Sequence, residues 1–530
     1  MSGVWHFYTS PVHLGSTAIR ERTATPCHAS GAFTKNDRPP QSADIYAFLF
    51  DQLGMVGFGV TAKDQHYDDY EGIDAKGKIV AYIFGAPQFE SSLRAHNSAA
   101  HSQMTVTEVA RVALCMEIIF SYSRWAMRIL ASRCARMQRT VHFGMQKADV
   151  VIAGGGAVGS ATAYFLLNQP AFSGSIVVIE PDPTYSFAAS ALSASSIRLQ
   201  FSTPLNIALS VFGLEFLRHC CRGLADVNLV ESTYLYLASA QGEPALRRNV
   251  DVQRRCGVET RLLDVAGLLS CYPWINASDV AAAADTSGGE GWFDGYGLLR
   301  GLRQASERGG VRFLRDRVAS VIMDGASSVA GVRLRGGETL RCRWLVNAAG
   351  THSRAIAAEA GIDLPVYARK RNVFVFTSSS PPAGCPMVVD PSGLWFRPER
   401  DRFICGVVPS NDPNVALDDF DVDHHLFEDV AWPALAHRVP AFEAIRMAGA
   451  WAGHYDYNVF DQNAFLGACE TVPNMILASG FSGHGLQHAP AVGRALAEFV
   501  AFGEYRTIDL SPFSYSRYLR GRPLREHNVI

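Results

Sequence analysis

Residues 145–167 read MQKADVVIAGGGAVGSATAYFLL, and this stretch decides the fold. A short polar lead passes into the continuous apolar run 150–153, as a strand covered on both faces requires. Gly154, Gly156 and Gly159 follow as G-x-G-x-x-G. The first glycine permits a tight turn, the second lets the backbone approach a pyrophosphate, and the third lets helix and strand pack closely. A helix starting near Ala157, with Val158 in its first turn, points free N–H groups at that anion. A second apolar strand is expected over 175–179, ending in Glu180, an acid placed to accept hydrogen bonds from adenosine ribose hydroxyls.

Three features distinguish a flavin from a nicotinamide dinucleotide. RWLVNAAG (343–350) is a later strand ending in the small residues Ala349 and Gly350, where the chain can pass close to a cofactor. NMILASGFSGHGLQHAPAVGRALAEF (474–499) is a strand, then a loop of Gly480, Phe481, Ser482, Gly483, Gly485 and Leu486, then a helix. Such a loop offers backbone donors to the pyrimidine edge of a flavin, where the reduced ring carries negative charge. Finally, no second G-x-G-x-x-G provides a separate nicotinamide domain. The expected cofactor is therefore FAD.

With these motifs in place, the chain from about 147 onward resembles the flavin-dependent amine oxidoreductases of the D-amino-acid oxidase superfamily. The resemblance rests on VVIAGGGAVGSATAY, IRLQFSTPLN, GWFDGYGLLRGL, VNAAGTHS and ASGFSGHG. PWIN, EGWFD, RKRNVFVF, WAGHYDYNVFDQN, GFSGHGLQHAP and TIDLSPFSYSRY resemble, more narrowly, the FAD-dependent oxidoreductase domain-containing proteins linked to mitochondrial complex I assembly. The resemblance implies an α/β (α+β) fold. A discontinuous Rossmann-like FAD domain (147–225, 295–365 and 466–505) joins an antiparallel-sheet substrate domain (226–294 and 366–465), with a C-terminal tail over 506–530. Strands over 374–376, 394–396 and 403–408 are expected in the sheet that roofs the flavin, from their β-branched and aromatic content.

The implied activity is oxidation of the C–N bond of an amino acid or N-methyl amino acid, like sarcosine or dimethylglycine. Electrons would pass to oxygen or a protein acceptor. The alternative is a flavin-stabilised assembly factor making contacts with complex I. Two departures from the family pattern matter. Sarcosine oxidases tether FAD through a cysteine where this chain has Gly453 or His454, and Cys469 lies too late. The 187–200 segment also lacks the tethering histidine of dimethylglycine dehydrogenases. FAD is therefore expected to be non-covalent. Sarcosine oxidases also place a carboxylate-binding lysine just after FSGHG, where Leu486 and Gln487 stand here, and a neutral amide gives no charge-assisted bond.

Four residues are candidates for the chemistry. Arg198 is either a substrate or flavin contact or half of an interface ion pair. Arg371, in the basic run Arg369–Lys370–Arg371, either faces the flavin or marks a solvated strand entry. His484 either faces the flavin or braces its loop. Tyr455 shares a strand face with Tyr457 and either lines the site or packs in the core. Arg397 is a further candidate for a carboxylate.

At 530 residues the chain has room for about three or four domains. Hydrophobic residues at 48% and charged residues at 18% provide for a sizeable core. A net charge of -2 gives no electrostatic footprint for nucleic acid. No apolar run reaches the ~20 residues of a membrane span, since the best, around 104–120, is broken by Glu108, Arg111 and Glu117. Eleven cysteines form no C-x-x-C pair and no zinc-like spacing, and the first residues lack a secretory layout. No metal site is expected, and the compartment is expected to be the cytoplasm, or the mitochondrial matrix in a eukaryote.

Residues 1–144 stand apart as an extension. Within 53–96, GFGV, YDDYEGID and KGKIVAYIFGAP resemble part of the protease-associated domain of zinc aminopeptidases, but no His/Asp/Glu ligand set follows. The 118–146 stretch holds Arg124, Arg128, Arg133, Arg136 and Arg139 without an acid and reads as a basic linker. The extension is either a fused piece of such an insert or a stretch upstream of a start at Met145 or Met116.

Overall fold

A computed structural model describes residues 5–7, 55–56, 61–62, 67–68, 79–83, 146–220 and 223–528. The chain divides into two units, Met1–Leu130 and Ala131–Ile530. In the first, Ile79–Ile83 pairs antiparallel with Trp5–Phe7 and parallel with Met55–Val56, and Thr61–Ala62 pairs with Tyr67–Asp68. Its remaining residues, with most of the 53–96 resemblance and most of the Arg-rich 118–146 stretch, lie outside the described residues.

The second unit is built outward from Gln146–Ala153. Ala148, Val150, Val151 and Ile152 are wholly buried because this strand is central and covered on both faces. The sheet runs Arg312–Leu314, Ile176–Ile179, Gln146–Ala153, Thr339–Asn347, Ser328–Leu334, Val318–Asp324. Val472–Ser479 joins the C-terminal half of Thr339–Asn347 in parallel, Leu345 facing Met475. Three parallel strand ends thereby converge at one edge of the sheet, where a dinucleotide fold places its ligand. Helix Ala157–Leu167 and the last long helix, Gly485–Phe502, cover one face, with Val150, Ile152, Leu166, Val492 and Leu496 in their shared core. The two helices touch at Gly493, where a Cβ would lie 2.6 Å from the Ala161 carbonyl carbon.

A second sheet of eight strands runs Thr260–Leu263, Ala282–Thr286, Tyr234–Ala238, Met387–Val389, Leu394–Glu399, Arg402–Val407, Val366–Ser378, Ile445–Asn458. The three expected roof strands are all in it. Its pairings are antiparallel except Tyr234–Ala238 with Met387–Val389, which run parallel because a long excursion through the first sheet separates them. One face buries Phe374, Phe376, Phe396, Phe403 and Phe442, each worth about 2–3 kcal/mol of burial. The other carries Tyr234, Tyr236, Val373, Trp395 and Ile404 beside Ala194.

Two buried carboxylates join these layers. Glu290 is wholly buried and accepts from the backbone N–H of Leu199 (2.7 Å), Gln200 (3.1 Å) and Tyr234 (2.8 Å), from Gln200 Nε2 and from the Thr286 hydroxyl. Asp461 pairs with Arg517, which fastens the stretch after 505 to the turn following Ile445–Asn458. That stretch is no loose appendage, since Leu510, Phe513 and Glu526 are buried.

Candidate functional site

The turn after the first strand is shaped by contact rather than by preference alone. Gly154 has φ +97°, and a Cβ there would lie 2.3 Å from the Ala348 carbonyl oxygen. A Cβ on Gly159 would lie 1.9 Å from the Gly154 carbonyl oxygen, so this glycine lets the helix seat on the turn. Helix Ala157–Leu167 starts at Gly156 with no acid in its first turn, and among its first N–H groups that of Ala157 donates to the Ser190 hydroxyl at 3.1 Å. Its N-terminal field is thus left for an anion. Glu180 accepts from the Gly155 N–H (2.8 Å) and the Asp182 N–H (2.9 Å), and burial raises its carboxyl above the usual range. In this structure the acid expected at a ribose also braces the turn.

A cavity of about 1000 Å³ opens along this turn, at the upper end of the roughly 300–1,000 Å³ of small-molecule and cofactor sites. Gly154, Gly156, Ala157, Val158 and Glu180 line it from the first turn and second strand. Ala349 and Gly350 line it from the turn after Thr339–Asn347, and Phe481, Gly483, Gly485 and Leu486 from the final loop. Tyr455 lines it from the second sheet. Gly159, Gly480 and Ser482, expected to bind the cofactor, are not among the cavity's lining residues, nor are Arg198, Arg371 and His484. A cavity of this volume lined by both the start of a helix and the final glycine loop fits FAD. Tyr185, Ser190, Arg317, His352, His454 and Asp456 line it too. They come from separated loops and strands, and although His352, His454 and Asp456 lie in VNAAGTHS and WAGHYDYNVFDQN, no local pattern there tells that they face the cavity.

The final loop is strained and held. Gly480 (φ +82°), Ser482 (φ +52°) and Gly483 (φ +102°) are left-handed. Asp456 accepts from the Gly480 N–H at 2.7 Å and the Phe481 N–H at 3.3 Å, and its main-chain oxygen accepts from the Ser482 N–H. Burial pushes the Asp456 carboxyl up to about 6. The Tyr455 ring fills the space beside Gly483, where a Cβ would lie 2.5 Å from it.

The candidate cations have different fates. Arg371 lies over the Tyr455 ring but donates to both oxygens of Asp412, which Arg369 also contacts. Lys370 pairs with Asp419. Arg397 is taken by Glu399, the Pro398 and Ala194 carbonyls and the Trp292 ring. Arg198 is buried and stacks 4.1 Å over Phe201. Its guanidinium donates to the Tyr236 hydroxyl and the Asn528 main-chain oxygen, both neutral, and among the described residues it forms no ion pair.

His484 packs against the Phe201 ring at 5.3 Å, and its buried Nε2 has no hydrogen-bond partner. Burial, then the charge of Arg198, lowers it to about 3, so the ring is neutral. Gln487 uses its side-chain oxygen to accept from the Arg198 backbone N–H at 2.9 Å. The neutral amide where a lysine was a possibility therefore positions the Arg198 backbone.

With the geometry in view, comparison with known proteins is decisive. Residues 149–499 match the family described as FAD dependent oxidoreductase, DAO. The chain belongs to that family. FAD-dependent oxidoreductase domain-containing protein 1 of Bos taurus is 39% identical over 435 residues, covering 74% of this chain and 89% of that protein. Among solved structures, L-proline dehydrogenase from P. horikoshii has a TM-score of 0.63 at 23% identity, covering 72% of this chain and 100% of that one. Glycine oxidase from Geobacillus kaustophilus has a TM-score of 0.61 at 22% identity, covering 70% and 99%. These two show that the fold is shared. The DAO-family chain is thus an FAD-dependent oxidoreductase.

Proposed function

We propose that the chain oxidises the C–N bond of an amino acid or an N-methylated amino acid to an imine, which water then hydrolyses, and that Arg198 holds the substrate carboxylate. The carrying observation is Arg198 itself. Its hydrogen-bond partners are neutral, whereas Arg371 and Arg397 hold carboxylates of their own. A buried guanidinium with neutral partners is costly, and a bidentate carboxylate offsets that cost better than any neutral ligand. When bound, FAD supplies the two-electron acceptor for the oxidation.

The remaining groups orient and exclude. Neutral His484 adds no second positive charge beside Arg198, so an amine can lie there uncharged, and its unfilled Nε2 provides a hydrogen-bonding position for that amine. Phe201 and Tyr236 wall Arg198 from water, which strengthens its hold on an anion. The names of the proline dehydrogenase and the glycine oxidase support an amino acid as the substrate class.

The test is an absorbance spectrum of the purified protein, then anaerobic stopped-flow mixing with glycine, sarcosine, dimethylglycine, L-proline and D-amino acids. At least one should bleach the flavin band. If none does while dithionite bleaches it fully, the amine reading is overturned.

A further inference from the structure

The segment at the far C-terminal end makes a set of contacts that neither the family motifs nor the glycine loops call for. Glu526 is wholly buried. It accepts from the backbone N–H of Ser202 (2.8 Å) and Thr203 (3.0 Å), the Ser202 hydroxyl (2.6 Å) and Asn206 Nδ2 (3.0 Å). Helix Pro204–Glu215 begins here, and its N-cap Thr203 makes no side-chain cap. Glu526 therefore anchors the entry to that helix, and its negative charge lies at the positive end of the helix dipole, from more than 300 residues away in sequence.

Two residues on, Asn528 is fixed on several sides. Its N–H donates to Glu526, its Nδ2 to the Gln200 carbonyl at 3.0 Å, and its Oδ1 accepts from Asn249 Nδ2 at 2.9 Å. Its main-chain oxygen is left facing Arg198, whose guanidinium donates to it. The His527 N–H donates to the Ser202 hydroxyl. The segment thus spans the start of one helix in the nucleotide-binding layer and Asn249 of helix Glu243–Arg255, with Arg198 between them.

We propose that residues 524–528 are a wall of the substrate site, with Asn528 as a positioning residue that aims the Arg198 guanidinium at the substrate carboxylate. This rests on the carboxylate reading of Arg198. Arginine has five N–H donors in a rigid fork, so one neutral acceptor can fix its plane while others remain for a ligand. A carboxylate in the place of the Asn528 carbonyl would instead have filled the site with a permanent ion pair. Glu526 supplies negative charge that Arg198 feels from one layer behind, which offsets part of its burial without occupying its donors.

The experiment uses full-length holoprotein titrated with acetate, benzoate and (methylthio)acetate, read as a shift of the flavin absorbance band. Asn528→Ala, a chain ending at Arg525, and the exposed control Arg522→Ala are compared at equal flavin content. We expect the Kd of the tightest acid to rise at least 10-fold in Asn528→Ala and in the shortened chain, and not in Arg522→Ala. Should the shortened chain fail to hold FAD, Asn528→Ala alone decides. If full-length protein responds and Asn528→Ala responds with the same or a lower Kd, the wall is overturned and the carboxylate reading stands. If none of the three acids shifts the full-length spectrum, the carboxylate reading falls and takes the wall with it.

Discussion

Arg198 and Asp456 carry opposite lessons about buried charge. Arg198 keeps its charge among neutral partners, so its removal should be felt mainly by the ligand. Arg198→Met is expected to retain FAD and the fold while raising KM for the amino-acid substrate about 100-fold or more, the loss of a buried charge-assisted pair. Steady-state kinetics beside a flavin-to-protein ratio checks this. Asp456 gives up part of its ionisation. Its folded carboxyl titrates near 6 against the ordinary 3.8, so its contribution to stability is fully present below pH 4 and is lost as pH rises through 6. Against Asp456→Asn, the wild type should gain roughly 2 kcal/mol on acidification from pH 7 to 4, since each pKa unit is worth about 1.4 kcal/mol. Urea unfolding of both proteins across that range measures it, and a constant difference would refute it. Of these two residues the sequence marked only Arg198, beside a recognisable segment. Asp456 was visible merely as the spacer between two tyrosines, because what makes it matter is the distant Gly480 N–H that it accepts.

At the level of elements, the glycine loops show which conformations need a missing side chain. Gly483 is left-handed and pressed against Tyr455, whereas Gly503, at φ +79°, ends the last long helix with open space where a Cβ would go. Gly503→Ala should therefore cost about 1–2 kcal/mol of stability, the backbone strain alone, and leave the flavin spectrum unchanged. Gly483→Ala adds a collision with the Tyr455 ring and should also weaken FAD binding, about 10-fold or more, read by flavin release on dilution. The first strand, its glycine turn and its helix were legible because the apolar run, the glycine spacing and Glu180 that announce them all lie within about 35 positions. The anchoring of the entry to helix Pro204–Glu215 was not, because its anchor is Glu526.

For the whole molecule, the family match begins at 149 and the second unit at Ala131. A chain starting at Ala131 is expected to fold, stay yellow and show the spectrum of the full-length protein. Acid precipitation of either should leave the colour in the supernatant. Cys469 is wholly buried in the core and contacts Thr471. Gly453 stands in the sheet opposite Arg371, with no side chain to form a bond.

The sequence by itself determined the dinucleotide turn, the final glycine loop and the family, because these depend on backbone freedom and strand–helix periodicity within short windows. Only the tertiary structure decided which of three arginines is left without a carboxylate partner. Arg198, Arg371 and Arg397 are alike in sequence, and they differ because two of them fold against Asp412 and Glu399 while the third folds against a hydroxyl and a main-chain oxygen. A charge's availability is set by what long-range packing places beside it, and no local pattern encodes that.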